Sequence, residues 1–259
     1  RRTGYSEILQ RSRTGCIGVQ NGKFFLSEPL DRINMRYYPI NLDIRNRNCL
    51  VIGGGGVGTR KALALLACGA RVTVVSPAVT QRLADLADSL VLVLVHRSYR
   101  EEDLETMFLV IGATDDEELN RRVHRDAEKR GILCNIADRP EICNFILPSV
   151  VRRGDLTISI STSGRSPALA KKLRKELELA YGEEYSLLLH LMGAIRRKLL
   201  KEAHAPEAHK PLFEQLVDSD LPAMIRDDRR ADIDQLLHEV LGQGFTYDTL
   251  MKESDPSAT

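Results

Sequence analysis

From Cys49 onward, short apolar runs alternate with amphipathic stretches. Residues 49–53 (CLVIG) are apolar up to a glycine, the pattern of a strand buried on both faces. Residues 57–69 set Ala62, Leu65 and Leu66 at helical spacing and stop at Gly69. The β-branched run 71–76 (RVTVVS) predicts a second strand and 78–89 a second helix. Residues 90–96 (LVLVLVH) predict a strand, 101–107 a short helical turn and 108–113 (FLVIGA) another strand. A charged amphipathic helix over 116–131 ends at Gly131, and 132–137 (ILCNIA) is a fifth strand. Apolar strands separated by helices predict an α/β fold, a Rossmann-type parallel sheet covered on both faces.

After Asp138 the rhythm changes. Residues 144–162 predict a hairpin around the polar turn RRGD, and a helix starts at Pro167. Helical segments follow over about 184–202, 211–217 and 232–241, and the tail from Met251 looks frayed. The expected divisions are a dinucleotide-binding domain over 35–145, a small α+β domain over 146–200 and a helical region over 201–259. Residues 1–34 start without Met, are rich in Arg, Ser and Gly, and show no clear period. They are expected to be an extension or disordered. A transit peptide is the weaker alternative, because Glu7, Glu28 and Asp31 interrupt the basic stretch.

Gly53, Gly55 and Gly58 satisfy G-x-G-x-x-G, with Gly54 and Gly56 also glycine. The motif alone is weak. Its setting, after a buried strand and at the start of a helix inside a βαβ span, gives it weight. Glycines let a pyrophosphate approach the main chain, where free N–H groups and the helix dipole stabilise it. A glycine-rich turn without a ligand is the alternative. Ligands in such sheets lie beyond the strands' carboxyl ends. That rim holds the loop (Gly53, Gly55, Gly56, Val57, Gly58), Ser76-Pro77-Ala78, Thr114-Asp115 and Asp138. No acid ends the second strand, so NAD is favoured over NADP only slightly. Ser76 is the group there that can reach a ribose hydroxyl. Thr114 and Asp115 are cofactor contacts or caps of the next helix.

Asp138 directly follows the fifth strand. A carboxylate there suits a proton acceptor, and a turn-forming Asp in ADRP is the plainer alternative. Residues 161–176 (STSGRSPALAKKLRKE) place Thr162, Ser163, Gly164, Arg165 and Ser166 before a proline-led helix bearing Lys171, Lys172, Arg174 and Lys175. This is an anion site, or else simple capping beside a solvated basic face.

A formal net charge of +1 speaks against a general nucleic-acid binder, and the absence of Trp removes stacking material. No apolar run approaches the roughly 20 residues of a membrane span. The five cysteines include no CxxC pair, and they read as buried small apolar residues of a cytoplasmic protein. His96, His124 and His190 show no metal-ligand spacing, so no metal site is expected.

Three segments together resemble the precorrin-2 dehydrogenase/sirohydrochlorin ferrochelatase family, which is also the N-terminal module of siroheme synthase. They are CLVIGGGGVGTRKALALLACGARVTVVSP, IGATDDEELNRRV and CNIADRPEICNFILPSVVRRGDLTISISTSGRSPALAKKLRKE. The likeness covers about residues 35–200 and continues more weakly to about 250. It implies an NAD-binding Rossmann domain, a swapped dimerisation domain that makes a homodimer, and a helical tail. It implies NAD-dependent oxidation of precorrin-2 to sirohydrochlorin, with Fe²⁺ inserted afterwards in many members to give siroheme. The family's catalytic aspartate matches Asp138, and its serine-rich tetrapyrrole segment matches residues 162–166, with Thr162 where some members carry Ser. At 259 residues, the chain is expected to lack the methyltransferase domain that fused siroheme synthases add. Two rivals stand beside this: a non-enzymatic NAD-binding regulatory module, and a Rossmann oxidoreductase for a small hydroxy acid. The second needs a His or Lys base, and no placement for one is evident.

Overall fold

The computed structural model describes the main chain of residues 17–20 and 23–26, together with residues 36–201 and 206–253. The chain divides into two compact units between Phe145 and Ile146. Ahead of the first patterned strand lies an antiparallel hairpin, β1 (Ile17–Gln20) and β2 (Lys23–Leu26), with Gln20 opposite Lys23. The hairpin lies within residues 1–34, expected to be an extension or disordered. Two β-prone runs flank Asn21-Gly22 in the sequence, a strong two-residue hairpin signal. The remaining residues of 1–34 lie outside the described ones.

The first unit is built on β3 (Asn48–Gly54), β4 (Arg71–Val79), β5 (Val93–Val95), β6 (Leu109–Gly112) and β7 (Leu133–Ile136). All five are parallel, in the order β5-β4-β3-β6-β7. Helices α1 (Gly56–Leu66), α2 (Gln81–Asp88) and α3 (Glu117–Lys129) connect them. The period of two sends Cys49 and Val51 of β3 to one core cluster and Leu50 and Ile52 to another, all buried. The continuous apolar run in the sequence is therefore the central strand.

Three elements differ from expectation. Strand β4 runs on through Pro77 to Val79, and its register with β3 shifts between Ile52 and Gly54. A bulge accommodates a residue that has no N–H to give the ladder. Strand β5 is only three residues long instead of seven. Leu90 has a left-handed φ of 57° and is 92% exposed. The N–H groups of Leu90 and Val91 close the end of α2 on Ala87 and Leu86, so that apolar stretch goes to a helix cap. The helical turn after it is a single 3-10 turn, Glu101–Leu104.

The second unit opens with the antiparallel pair β8 (Ser149–Arg153) and β9 (Leu156–Ile160). Phe145 stays outside this hairpin and packs on the core of the sheet. Among the described residues the pair is followed by helices α4 (Pro167–Ala180), α5 (Glu184–Lys201), α6 (Pro206–Val217), α7 (Leu221–Arg226) and α8 (Arg230–Leu241). A last one, α9 (Tyr247–Glu253), takes in Met251–Glu253 of the expected frayed tail; residues 254–259 lie outside the described ones. The expected division at 200/201 is not where packing separates. Leu191, Ile195 and Leu199 of α5 share one core with Leu216, Leu221, Ile233 and Leu237. No helix among the described residues is long and apolar enough to cross a membrane.

Glu184 ties the start of α5 to the end of α7. Arg226 donates to its Oε1 through Nη2 at 2.6 Å and Nε at 3.1 Å. Burial pushes the Glu184 carboxyl up, but the Arg226 hydrogen bonds and nearby main-chain N–H groups outweigh it, and the net shift is downward. A carboxylate whose folded pKa is depressed stabilises above its unfolded pKa and loses that contribution as pH falls through the folded value. Glu184→Gln should therefore lower the melting temperature at pH 7. The gap to the parent should close as pH drops below the ordinary glutamate range. Thermal melts at several pH values check this, and a gap constant with pH would refute it.

Candidate active site

The glycine loop joins β3 to α1. Gly53 has φ 105°, and a Cβ there would run into the main chain of Ala113 at the end of β6. A Cβ on Gly58 would strike the carbonyl of Gly53, so this glycine sets how closely α1 approaches the strand. Gly55 and Gly56 differ: a Cβ on either would meet nothing within 4 Å. The first pair serves packing, and the second leaves open space over the helix start. Gly55 is the N-cap of α1, without a side-chain cap, and no acid lies in the first turn, where Val57 is half-buried. The first N–H groups of a helix have no intrahelical partner. Helix α3 contrasts with this. Asp116 accepts from Leu119 N–H at 3.0 Å, and Glu117 and Glu118 occupy its first turn. Of the two helix starts, α1 is the one left for an anion. The shape and the donor set of this loop fit a dinucleotide pyrophosphate.

Beside the loop, Thr59 Oγ1 lies 2.9 Å from the Gly55 carbonyl and 2.8 Å from Thr80 Oγ1, joining α1 to the end of β4. Ser76 is buried, and its hydroxyl donates to the Ala78 carbonyl at 2.6 Å. The expected free donor for a ribose is thus committed to the main chain, because the bulged strand end needs a partner there. Pro77 and Ala78 are exposed. Thr114 accepts from Asp116 N–H at 3.1 Å through Oγ1, and its carbonyl accepts from Asn120 Nδ2 at 2.9 Å. The cap of α3 is Asp116, so Asp115, which is exposed, does not cap it.

Asp138 stands exposed on the same rim, beyond β7, with φ 60°. Arg139 N–H reaches the Ile136 carbonyl at 3.3 Å, which makes Asp138 the third residue of a tight turn. A positive φ at that place suits Gly, Asn or Asp. The turn-forming alternative is therefore met, and the turn leaves the carboxylate exposed on the rim. Lys61 of α1 lies within electrostatic range of Asp138 and Cys143. Burial pulls its amine below the ordinary lysine range, Arg60 adds to this, and Asp138 and Cys143 oppose it. Sequence reasoning passed over Lys61 and Cys143. Each sits in an ordinary helix or loop pattern, and only the fold brings them to this rim.

In the second unit, residues 162–166 form a compact turn before α4. Ser166 caps the helix, accepting from Leu169 N–H at 3.2 Å, and Thr162 Oγ1 accepts from Ser166 N–H at 3.1 Å. Ser163 and Gly164 both have positive φ, and with Arg165 they are exposed at the tip. The capping alternative thus accounts for Thr162 and Ser166, while Ser163, Gly164 and Arg165 remain open. On α4, Lys172 pairs with Glu176 at 3.7 Å and Arg174 with Glu178, which partly neutralises the basic face.

Comparison with known proteins matches this layout. An NAD(P)-binding family model covers residues 40–149, and the family described as sirohaem biosynthesis protein, central, covers residues 153–179. Siroheme synthase from Nitrosococcus oceani is 34% identical over 211 residues, which are 82% of this chain and 45% of that protein. Siroheme synthase from Escherichia coli O139:H28 is 36% identical over 212 residues, 80% of this chain and 46% of that protein. A solved structure of SirC, a precorrin-2 dehydrogenase, superposes with a TM-score of 0.67 at 27% identity, covering 79% of this chain and 98% of that one. The chain thus resembles siroheme synthases over part of their length and the precorrin-2 dehydrogenase SirC over nearly all of that protein. It spans less than half the length of the siroheme synthases it matches. The NAD(P)-binding match takes in β3 to β7 with the glycine loop of this chain, and the central match runs from the end of β8 to the last turn of α4. NAD is the cofactor this first unit is built to hold.

Proposed function

We propose that the chain oxidises precorrin-2 to sirohydrochlorin with NAD. One observation carries the reading: an uncapped, acid-free helix start with open space over Gly55 and Gly56 shares its rim with a carboxylate held out on a left-handed turn. Bound NAD supplies the hydride acceptor. Gly53, Gly55, Gly56, Val57 and Gly58 hold the pyrophosphate through main-chain N–H groups. Pro77 and Ala78 lie at the ribose end, with the acceptor lone pairs of Ser76, and Thr114 and Asp115 border the middle of the cofactor. Asp138 takes the proton that leaves the macrocycle as the hydride departs, so that the carbon skeleton loses two electrons and two hydrogens in all. The substrate carries several carboxylates. Thr162, Ser163, Gly164, Arg165 and Ser166, backed by Lys171 and Lys175, offer N–H and cationic partners for them.

Fe²⁺ insertion into sirohydrochlorin is the natural extension, with Asp138 again receiving protons, now from the pyrrole nitrogens, and Fe²⁺ as substrate. The proposal places the active form as a homodimer. The β8–β9 pair is only two strands wide, which is marginal alone, and Leu169 and Leu179 of α4 are exposed, Leu179 by 88%. A cytoplasmic location suits the buried thiols of Cys49, Cys134 and Cys143. Burial pushes Cys49 up to about 11 and Cys134 up to about 12.

The test is an anaerobic incubation with precorrin-2 and NAD, followed by the spectrum of sirohydrochlorin and the fluorescence of NADH. Both signals should rise together. NAD binding without either would leave the regulatory-module reading in possession.

A further inference from the structure

We propose that Cys143 is a positioning residue for Asp138, its buried thiol closing the turn that presents the carboxylate. The inference rests on the reading of Asp138 as proton acceptor. Strand β7 is the last strand of the sheet. On its free edge, Cys134 N–H goes to Asn144 Oδ1 at 2.7 Å and Ile136 N–H goes to Cys143 Sγ at 3.1 Å. The returning segment therefore seals the edge with side chains. Asn144 fixes it further, its Nδ2 donating to the Ile132 carbonyl at 3.0 Å and its N–H to the Cys134 carbonyl at 3.1 Å.

The same sulfur reaches the other end of the turn. It lies 3.1 Å from the Arg139 carbonyl and 3.4 Å from the Ile136 carbonyl, and its single S–H can donate to one of them at a time. Asn135 Nδ2 approaches at 3.7 Å. One atom thus joins both ends of the turn Ile136–Arg139, whose own closing bond is a long 3.3 Å. Asp138 sits between these ends, and among the described residues no main-chain hydrogen bond of its own fixes its left-handed φ. Ala137 is tied separately to the Gly112 carbonyl at 2.8 Å. The charged groups around the thiol are Lys61 from α1, Arg36 from the segment before β3, and Glu141 from the 3-10 turn Pro140–Ile142. Burial is the largest influence on the thiol and pushes it up, so Cys143 remains a neutral donor.

A turn loosened at both ends lets the carboxylate drift, and drift of about 1 Å at a reacting group costs rate far more than affinity. Cys143→Ala should cut kcat for precorrin-2 oxidation by about tenfold or more. KM and NADH affinity, read by NADH fluorescence, should stay within about twofold. Cys143→Ser keeps a donor and an acceptor and should restore most of the rate. In an Asp138→Asn background, Cys143→Ala should change nothing further, since the group being positioned is gone. A purely structural cysteine would lower the rate in both backgrounds alike. Should Cys143→Ala fail to fold, Cys143→Val keeps apolar bulk without the hydrogen bonds and carries the same expectation. Wild-type kcat in the folded Ala or Val variant, or an equal loss in the Asp138→Asn background, overturns the inference alone. A parent protein that does not oxidise precorrin-2 at all overturns the underlying reading, and the inference with it.

Discussion

Asp138→Asn should slow precorrin-2 oxidation by about 10²–10⁴-fold, the range that a positioned proton acceptor contributes. NAD affinity should remain within about twofold. The choice of Asn matters because Asp138 has φ 60° at the third position of its turn. Asn tolerates that backbone as well as Asp does, and its side chain has the same shape. What is lost is the basic oxygen. Asp138→Ala removes the carboxylate and also forces a Cβ residue with no local hydrogen bond into the left-handed region, at about 1–2 kcal/mol. A rate loss in the Ala variant would mix chemistry with turn strain. If the Asn variant kept full turnover, Asp138 would be a turn residue only. Stopped-flow NADH formation together with a melt of each variant separates these outcomes.

The second large effect is expected at Gly55, where stability and binding should move in opposite directions. Gly55 is the N-cap of α1 with φ −74° and ψ −171°, a conformation open to any L-residue, and a Cβ there meets nothing within 4 Å. The fold can therefore accept Asp at this place. Asp is among the best N-cap residues and should add about 0.5–2 kcal/mol by accepting from the free N–H groups of the first turn. Those N–H groups are the ones a pyrophosphate needs, and the new carboxylate would face the diphosphate charge. Two like charges about 4 Å apart at an effective dielectric near 20 repel by about 4 kcal/mol. Gly55→Asp should accordingly raise Tm while weakening NAD binding by about 10²–10³-fold. Gly58→Ala is the contrasting variant. Its Cβ would strike the Gly53 carbonyl, so it should lower Tm, and any loss of NAD binding would follow from the shifted helix. Calorimetric melts and NAD titrations of both variants check the pair. Unchanged NAD affinity in Gly55→Asp would remove this loop from cofactor binding.

Local structure follows the sequence pattern where one physical cause dominates and departs from it where two compete. Strand β3 and its glycine loop were legible because a run buried on both faces has to be apolar throughout, and because the tight turn and close helix approach demand glycine. Helix α3 was legible from its period. Proline argues against a strand, yet β4 continues through Pro77 because its register with β3 shifts between Ile52 and Gly54. Strand β5 is shorter than its apolar run because Leu90 and Val91 close the end of α2. Helix α6 begins at Pro206 rather than Pro211. Both prolines suit a helix start, and the sequence has no means of ranking them. Helices α7 and α9 are too short to show a period.

The sequence alone determined the alternation of strands and helices, the glycines of the cofactor loop and the residue type at Asp138, because each is dictated by local backbone geometry or by burial on a fixed repeat. Tertiary structure alone decided that Ser76 spends its hydroxyl on Ala78, that Asp116 and not Asp115 caps α3, and that Cys143 returns seven residues after Ile136 to grip the turn bearing the carboxylate. These are hydrogen-bond choices among several nearby partners. Which partner wins depends on where neighbouring strands and loops bring the donors and acceptors, and no repeat along the chain encodes that.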